Sequence, residues 1–278
     1  MTMLELPEIE TLRRDLERET AGRKIKSAEA VVLKPLGVKQ RKDFDKNLVG
    51  AKVVTAERRG LHLLIRLDNE HTIVLVLGGN GRLERTASKD PRADDIAAVL
   101  TFTQGGDLRF ADRKGSSSLQ VGADEDLDSV LPPPEEVGLD LLESPLSWVD
   151  FGRMMLGYKT PLKLLLTDPS VFVGIGDVYS NEILFDAGLR HDRVAAELST
   201  QEIRRLYRSV VGILHDAIKY RGTSLEDRPF LDLSGAPGEF ADHLAVYGKA
   251  GELSPRSREP IRKTSFKHQV VYYCNTQV

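Results

Sequence analysis

The sequence predicts an α+β protein, built as an N-terminal helix with an antiparallel β-sandwich, then a helical domain, then a small basic hairpin. Three observations predict it. Short β-branched runs separated by turn residues fill positions 23–121, apolar residues at helical spacing take over beyond position 160, and an acidic, proline-bearing stretch divides the two.

The first element is a helix. Pro7 is followed by Glu8 and Glu10, Ile9, Leu12 and Leu16 share one face, and Gly22 lies past the end, which is the expected placement of proline and glycine around a helix. Its positive end lies beside Glu5 and Glu8. Strands are expected at 25–33, 52–58, 61–67, 72–77, 96–102 and 108–111, with Asp68-Asn69 and Gly105-Gly106 as hairpin signals, so this part reads as an antiparallel sandwich or barrel. The stretch from Ala123 to Ser144 carries eight acids, no base and Pro132-Pro133-Pro134, a composition suited to a solvated linker. Helices are expected at 161–166, 178–187 and 199–219. The last opens with a Ser199…Glu202 capping box and carries Ile203, Leu206, Val210, Leu214 and Ile218 on one face. From Lys249 to Val278 six bases outnumber two acids, and Val270-Val271-Tyr272-Tyr273 supplies a strand. The expected divisions are 1–122, 123–144, 145–248 and 249–278.

With 278 residues, 41% apolar and 29% charged, the chain can bury a full core in two domains of ordinary size. Its net charge of −3 argues against a nucleic-acid partner only until the acidic stretch is set aside, which leaves 39 bases against 34 acids. The lone Cys274 excludes an intramolecular disulfide and a cysteine-rich zinc site, so no metal or other cofactor is expected. No apolar run approaches the ~18 residues a membrane span needs, and the first residues lack a signal peptide's basic-then-apolar order, so a cytoplasmic monomer is expected.

The most informative local motif is Gly174-Ile175-Gly176-Asp177-Val178-Tyr179-Ser180-Asn181-Glu182, a glycine-spaced loop opening a helix. Unpaired amides at a helix start, approached through residues without side chains, suit an anion such as a DNA phosphate. The same spacing also serves a tight turn that simply needs two glycines. Lys163 on the preceding helix either adds a charged phosphate contact or is solvated surface.

Leu4-Glu5-Leu6-Pro7-Glu8-Ile9-Glu10-Thr11 resembles the amino terminus of the formamidopyrimidine-DNA glycosylase/endonuclease VIII family. Gly60, Leu63-Leu64 and Leu77-Gly78-Gly79-Asn80-Gly81-Arg82-Leu83 resemble two stretches of that family's sandwich. Lys163, the 174–182 loop and Glu239-Phe240…Val246-Tyr247-Gly248 are similar to its helix–two-turn–helix domain, and the tail from Gly251 to Gln277 has the length of its zinc finger. The resemblance implies a repair protein that binds duplex DNA containing a damaged base and flips a nucleotide out, because a glycosidic carbon inside the stack is out of reach of any side chain. It further implies a DNA path touched by Lys163, Gly174, Gly176, Tyr179, Arg82, Lys114, Gln269 and His62, the one histidine near that face.

Several reacting groups of the family are replaced. Its nucleophilic terminal proline matches Leu4, which follows Met1-Thr2-Met3, and a leucine amide nitrogen inside a chain is no nucleophile. The phosphate-contacting lysine after Arg-Arg-Gly is Leu61, the gap-filling residues match Gly79, Lys114 and Ser116, and the finger's arginine is Gln269. The four zinc cysteines match Ser254, Ser257, Cys274 and Gln277, which points to a zincless hairpin finger. The loop asparagine is Asp177, a carboxylate where a phosphate would sit. What survives is the acid pair Glu5 and Glu8. One carboxylate can stabilise an oxocarbenium-like sugar while a second, Glu8 or Asp177, positions water; alternatively Glu8 and Glu10 only decorate a first helical turn. Three readings follow: a monofunctional glycosylase without a Schiff-base lyase step, an inactive binder of damaged DNA, and a scaffold without DNA affinity.

Overall fold

The computed structural model describes residues 4–112, 115–133 and 137–278. The chain forms two compact units, Met1–Pro133 with Tyr220–Ala241, and Pro134–Lys219 with Asp242–Val278. Residues 220–241, read from sequence as part of the helical domain, are thus a component of the first unit. Phe230 and Leu233 explain the return, since both are buried in its hydrophobic core.

The first unit starts with α1 (Leu6–Thr20), whose Ile9, Leu12 and Leu16 are buried. After it come β1 (Ile25–Ala30), α2 (Arg41–Asp45), β2 (Val53–Arg59), β3 (His62–Leu67), β4 (His71–Val76), β5 (Gly81–Thr86), β6 (Ile96–Phe102), β7 (Asp107–Asp112), β8 (Ser118–Ala123) and α3 (Leu127–Val130). They build two four-stranded antiparallel sheets, ordered β1-β6-β7-β5 and β2-β3-β4-β8. Leu63, Ile65, Ile73 and Leu75 of one sheet share a core with Leu83, Leu100 and Phe110 of the other and with α1. The expected sandwich is present.

Two strands, β5 and β8, have no clear sequence signal. Both are sheet edges, and each has a single fully buried apolar side chain, Leu83 and Leu119, so little alternation is imposed on them. The acidic stretch also departs from the solvated linker expected of it. Leu127 and Leu131 pack on Leu64 and Val74. Asp128 pairs with Arg59 at 2.8 Å, and Asp124 accepts from Thr72 at 2.6 Å. The beginning of this stretch is therefore fastened to the sandwich by its own acids.

The second unit contains α4 (Trp148–Leu156), α5 (Leu162–Leu166), α6 (Asp177–Ala187), α7 (Thr200–Lys219) and the hairpin of β9 (Arg262–Phe266) and β10 (Gln269–Tyr273). The capping box is made: Glu202 accepts from Ser199 N at 2.8 Å, and Ser199 Oγ accepts from Glu202 N at 3.3 Å. The helix α4 was not foreseen, although Ser147 caps it by accepting from Asp150 N. The hairpin turns through Lys267 and His268 at φ 49° and 70°, the left-handed pair of a two-residue turn. It is docked by Tyr272 and Cys274, which are buried with Phe185, Val246 and Ile261.

Candidate active site

The start of α1 gathers the acids. Leu4 is buried in the sandwich core, so the position matching the family's reacting amine is an apolar anchor. Glu5 takes the extended backbone of an N-cap, and Pro7 at the helix start supplies no amide that needs a partner. Glu5 and Glu8 are both buried, 6% and 4% exposed, which charged groups do not tolerate without partners. The partners come from residues 220–241. Arg228 reaches Glu5 at 3.5 Å, and the Thr223 amide donates to Glu8 Oε1 at 2.7 Å. Gly222 makes this approach possible: its φ is +84°, and a Cβ there would stand 3.0 Å from Glu8 Oε1. Two turns along the same face, buried Asp15 pairs with Arg221 at 2.5 Å. Glu5, Glu8 and Asp15 thus form one acidic edge of α1 turned toward a single segment.

A cavity of about 310 Å³ has Leu4, Pro229, Phe230 and Leu231 as its apolar part and Asn80, Arg82 and Asp95 as its polar part. The turn from Gly78 to Gly81 forms one wall. Neither Gly78 nor Gly81 leaves room for a Cβ, which would lie 2.4 Å from Ser116 Oγ and 2.1 Å from Ser117 Oγ respectively. Ser116 is thus packed on Gly78.

Arg82, expected as a DNA contact, is committed within the sandwich. Its guanidinium holds Asp95 through two bonds of 2.7 and 2.9 Å and also pairs with Glu84, contacts that raise its pKa further. His62 is half-buried at the start of β3, and burial lowers its pKa, which disfavours a charged ring facing a phosphate. Lys114 lies outside the described residues.

In the second unit the 174–177 loop is a left-handed Gly174 (φ +61°) leading to Gly176, the N-cap of α6. Two of its expected DNA contacts require correction. Tyr179 is fully buried and belongs to the core of the unit. Lys163 is likewise fully buried: its ammonium donates to Ser180 Oγ at 2.7 Å and to Asp177 Oδ1 at 3.2 Å. Charge that the sequence suggests for a phosphate is therefore held by Asp177, itself 41% exposed. Gln269 exchanges hydrogen bonds with Thr167 at 2.8 and 3.1 Å.

Sequence reasoning passed over several residues that set these positions. Asn181 accepts from the Tyr272 amide at 2.8 Å and donates to Val270 O, fixing β10 against α6. Glu182 accepts the amides of Ala245, Val246 and Tyr247; burial pushes its pKa up while these three bonds oppose the shift. Arg228 and Thr223 were missed because the segment carrying them has no periodicity, and only Gly222, just past the end of α7, marked a forced turn.

The residues matching the finger's zinc ligands do not fit that metal. Ser254, Cys274 and Gln277 are buried; the Cys274 amide donates to Gln277 Oε1 at 2.9 Å, and Gln277 Nε2 donates to Leu189 O at 2.9 Å. Burial raises the Cys274 thiol pKa, but hydrogen bonds with Thr276, Ser254 and Ser257 bring it below the usual value. Two neutral hydroxyls, an amide and one thiol are a poor zinc set, and among the described residues no group of three or more His, Cys, Asp or Glu is arranged to hold a metal ion.

Helix, sandwich, helix–two-turn–helix region and finger-like hairpin together define a class of DNA-repair architecture, and comparison with known proteins agrees. The model of the formamidopyrimidine-DNA glycosylase N-terminal domain matches residues 3–119, and that of the family's H2TH domain matches 137–228. The formamidopyrimidine-DNA glycosylase of Pelotomaculum thermopropionicum is 31% identical over 99% of this chain and 98% of its own. That of Heliobacterium modesticaldum is 33% identical over 98% of each. Among solved structures, the Lactococcus lactis Fpg in complex with DNA containing an abasic site superposes with a TM-score of 0.85 at 25% identity, over 97% of both chains. The chain belongs to the formamidopyrimidine-DNA glycosylase family.

Proposed function

We propose that this protein is a DNA N-glycosylase that binds duplex DNA containing a damaged base, flips the modified nucleotide and hydrolyses its N-glycosidic bond with water. The observation that carries the reading is the start of α1: Leu4 is buried where the reacting amine would stand, while Glu5 and Glu8 beside it persist. The C1′–N bond breaks, the departing base takes a proton from solvent, and the water oxygen bonds to C1′ as its own proton passes to a carboxylate and from there back to solvent. Glu5, held by Arg228 at 3.5 Å, faces the developing oxocarbenium, and Glu8 orients the water. No Schiff base forms, so the product is an abasic site in an intact strand. The protein acts as a cytoplasmic, nucleoid-associated monomer without a cofactor.

A specific observation favours a second reading. Glu5 and Glu8 are both engaged by residues 223–228, so they also serve as fasteners, which suits a protein that binds damaged DNA without cutting it. Duplexes bearing oxidised, ring-opened or alkylated bases, assayed separately for base release and for backbone cleavage, decide between them. Base release with uncut backbone is expected. Borohydride trapping of a covalent complex would overturn the hydrolytic mechanism, and tight binding without base release would establish the second reading.

A further inference from the structure

The pair formed by Lys163 and Asp177 carries an inference that rests on the DNA-binding reading above. Lys163 is the larger partner and has no exposed surface; its ammonium lies 2.7 Å from Ser180 Oγ and 3.2 Å from Asp177 Oδ1. Asp177 is 41% exposed, so its carboxylate caps the lysine on the solvent side. It is also the first residue of α6, an eleven-residue helix whose first turn carries no other charged side chain. A negative group there completes the electrostatics of the lysine and the helix start with an anion belonging to the chain.

We propose that Asp177 limits and selects DNA affinity as an internal stand-in for a backbone phosphate: it neutralises Lys163 and repels a phosphate approaching the 174–177 loop. A phosphate can be bound there only by displacing Asp177 from Lys163 or by leaving the two paired and accepting the repulsion. Either route makes this loop a poor general phosphate contact, so undamaged duplex is held weakly and retention depends on contacts made at the lesion. Ser180 keeps Lys163 hydrogen-bonded when Asp177 moves, so the lysine is not stranded.

The charge is removed at constant shape by Asp177→Asn, whose amide oxygen still accepts from Lys163. Binding to a duplex carrying an abasic-site analogue and to the undamaged duplex is measured across a salt series for parent and variant. The variant is expected to bind both roughly tenfold more tightly, with the slope of log affinity against log salt steeper by about one counterion, and with a smaller ratio between the two duplexes. Asp177→Glu, which keeps the charge, is expected to retain the parental slope. The double variant Lys163→Gln/Asp177→Asn is expected to lose the gain. Parental binding with an unchanged or weaker Asp177→Asn variant would overturn the inference and leave DNA binding standing. Failure of parent and variant alike to bind either duplex would overturn both.

Discussion

The two flanks of α1 carry the same residue type to different ends. Glu10, on one side, is gripped by three guanidinium groups: Arg58 at 2.8 Å, Arg14 at 2.7 Å and Arg13 at 2.9 and 3.0 Å. Burial would raise its pKa, but these bonds hold it at about 2, against an ordinary 4.5. Glu5 and Glu8, on the other side, are as deeply buried and are met from another segment: Arg228 lies 3.5 Å from Glu5, and the Thr223 amide donates to Glu8 Oε1. A carboxylate saturated by cations is a fastener. In the mechanism proposed above Glu5 and Glu8 are the reacting acids, so the two flanks of one helix would differ in role as they differ in the groups that hold them.

The comparison breaks most readily at Glu5. Replacing it by Gln should lower single-turnover base release per folded molecule ~10²–10⁴-fold, the usual worth of a positioned acid–base group. A variant as fast as the parent would make Glu5 a fastener too. Glu10→Gln should do the opposite. Loss of a carboxylate held at about 2 instead of 4.5 should cost on the order of 2–3 kcal/mol of stability at pH 7, read as a lower denaturation midpoint, with base release per folded molecule unchanged.

The pH dependence sharpens the same contrast. Because folding depresses the Glu10 pKa from 4.5 to about 2, its stabilisation is fully present above about 4.5 and is lost as pH falls from there toward 2. The parent should therefore lose stability across that window more steeply than Glu10→Gln. Equal slopes in acid titrations followed by circular dichroism would remove Glu10 as the fastener.

Much of this was legible in the sequence, for physical reasons that also mark where legibility stopped. α1 announced itself through Pro7, its apolar face and Gly22, and α7 through its capping box, because those signals are local. The edge strands β5 and β8 were silent because burial on one side of an edge imposes so little pattern. The acid pair could be located, but not its partners: Arg228 and Thr223 meet Glu5 and Glu8 across more than 200 residues, a pairing that no window of sequence contains. Lys163 and Tyr179 were expected on the DNA path through the glycine-spaced loop and the family resemblance, whereas the packing around α6 buries both side chains. Spacing along a helix says which residues share a face; it does not say whether that face is outward.

The smallest expected effect tests whether the flank of Glu5 and Glu8 is positioned by the segment that covers it. Gly222→Ala adds one carbon at φ +84°, a strain of about 1–2 kcal/mol for a residue with a side chain. The new Cβ also stands 3.0 Å from Glu8 Oε1, so the carboxylate or the segment must give by a few tenths of an ångström. If Glu8 orients the attacking water, that displacement should cost base release beyond what the loss of folded protein explains. The excess should vanish when the substitution is made in a Glu8→Gln background, where no carboxylate is left to misplace. An excess that persists there would mean that Gly222 acts through some other group, and the two flanks of α1 would then differ in pairing without differing in role.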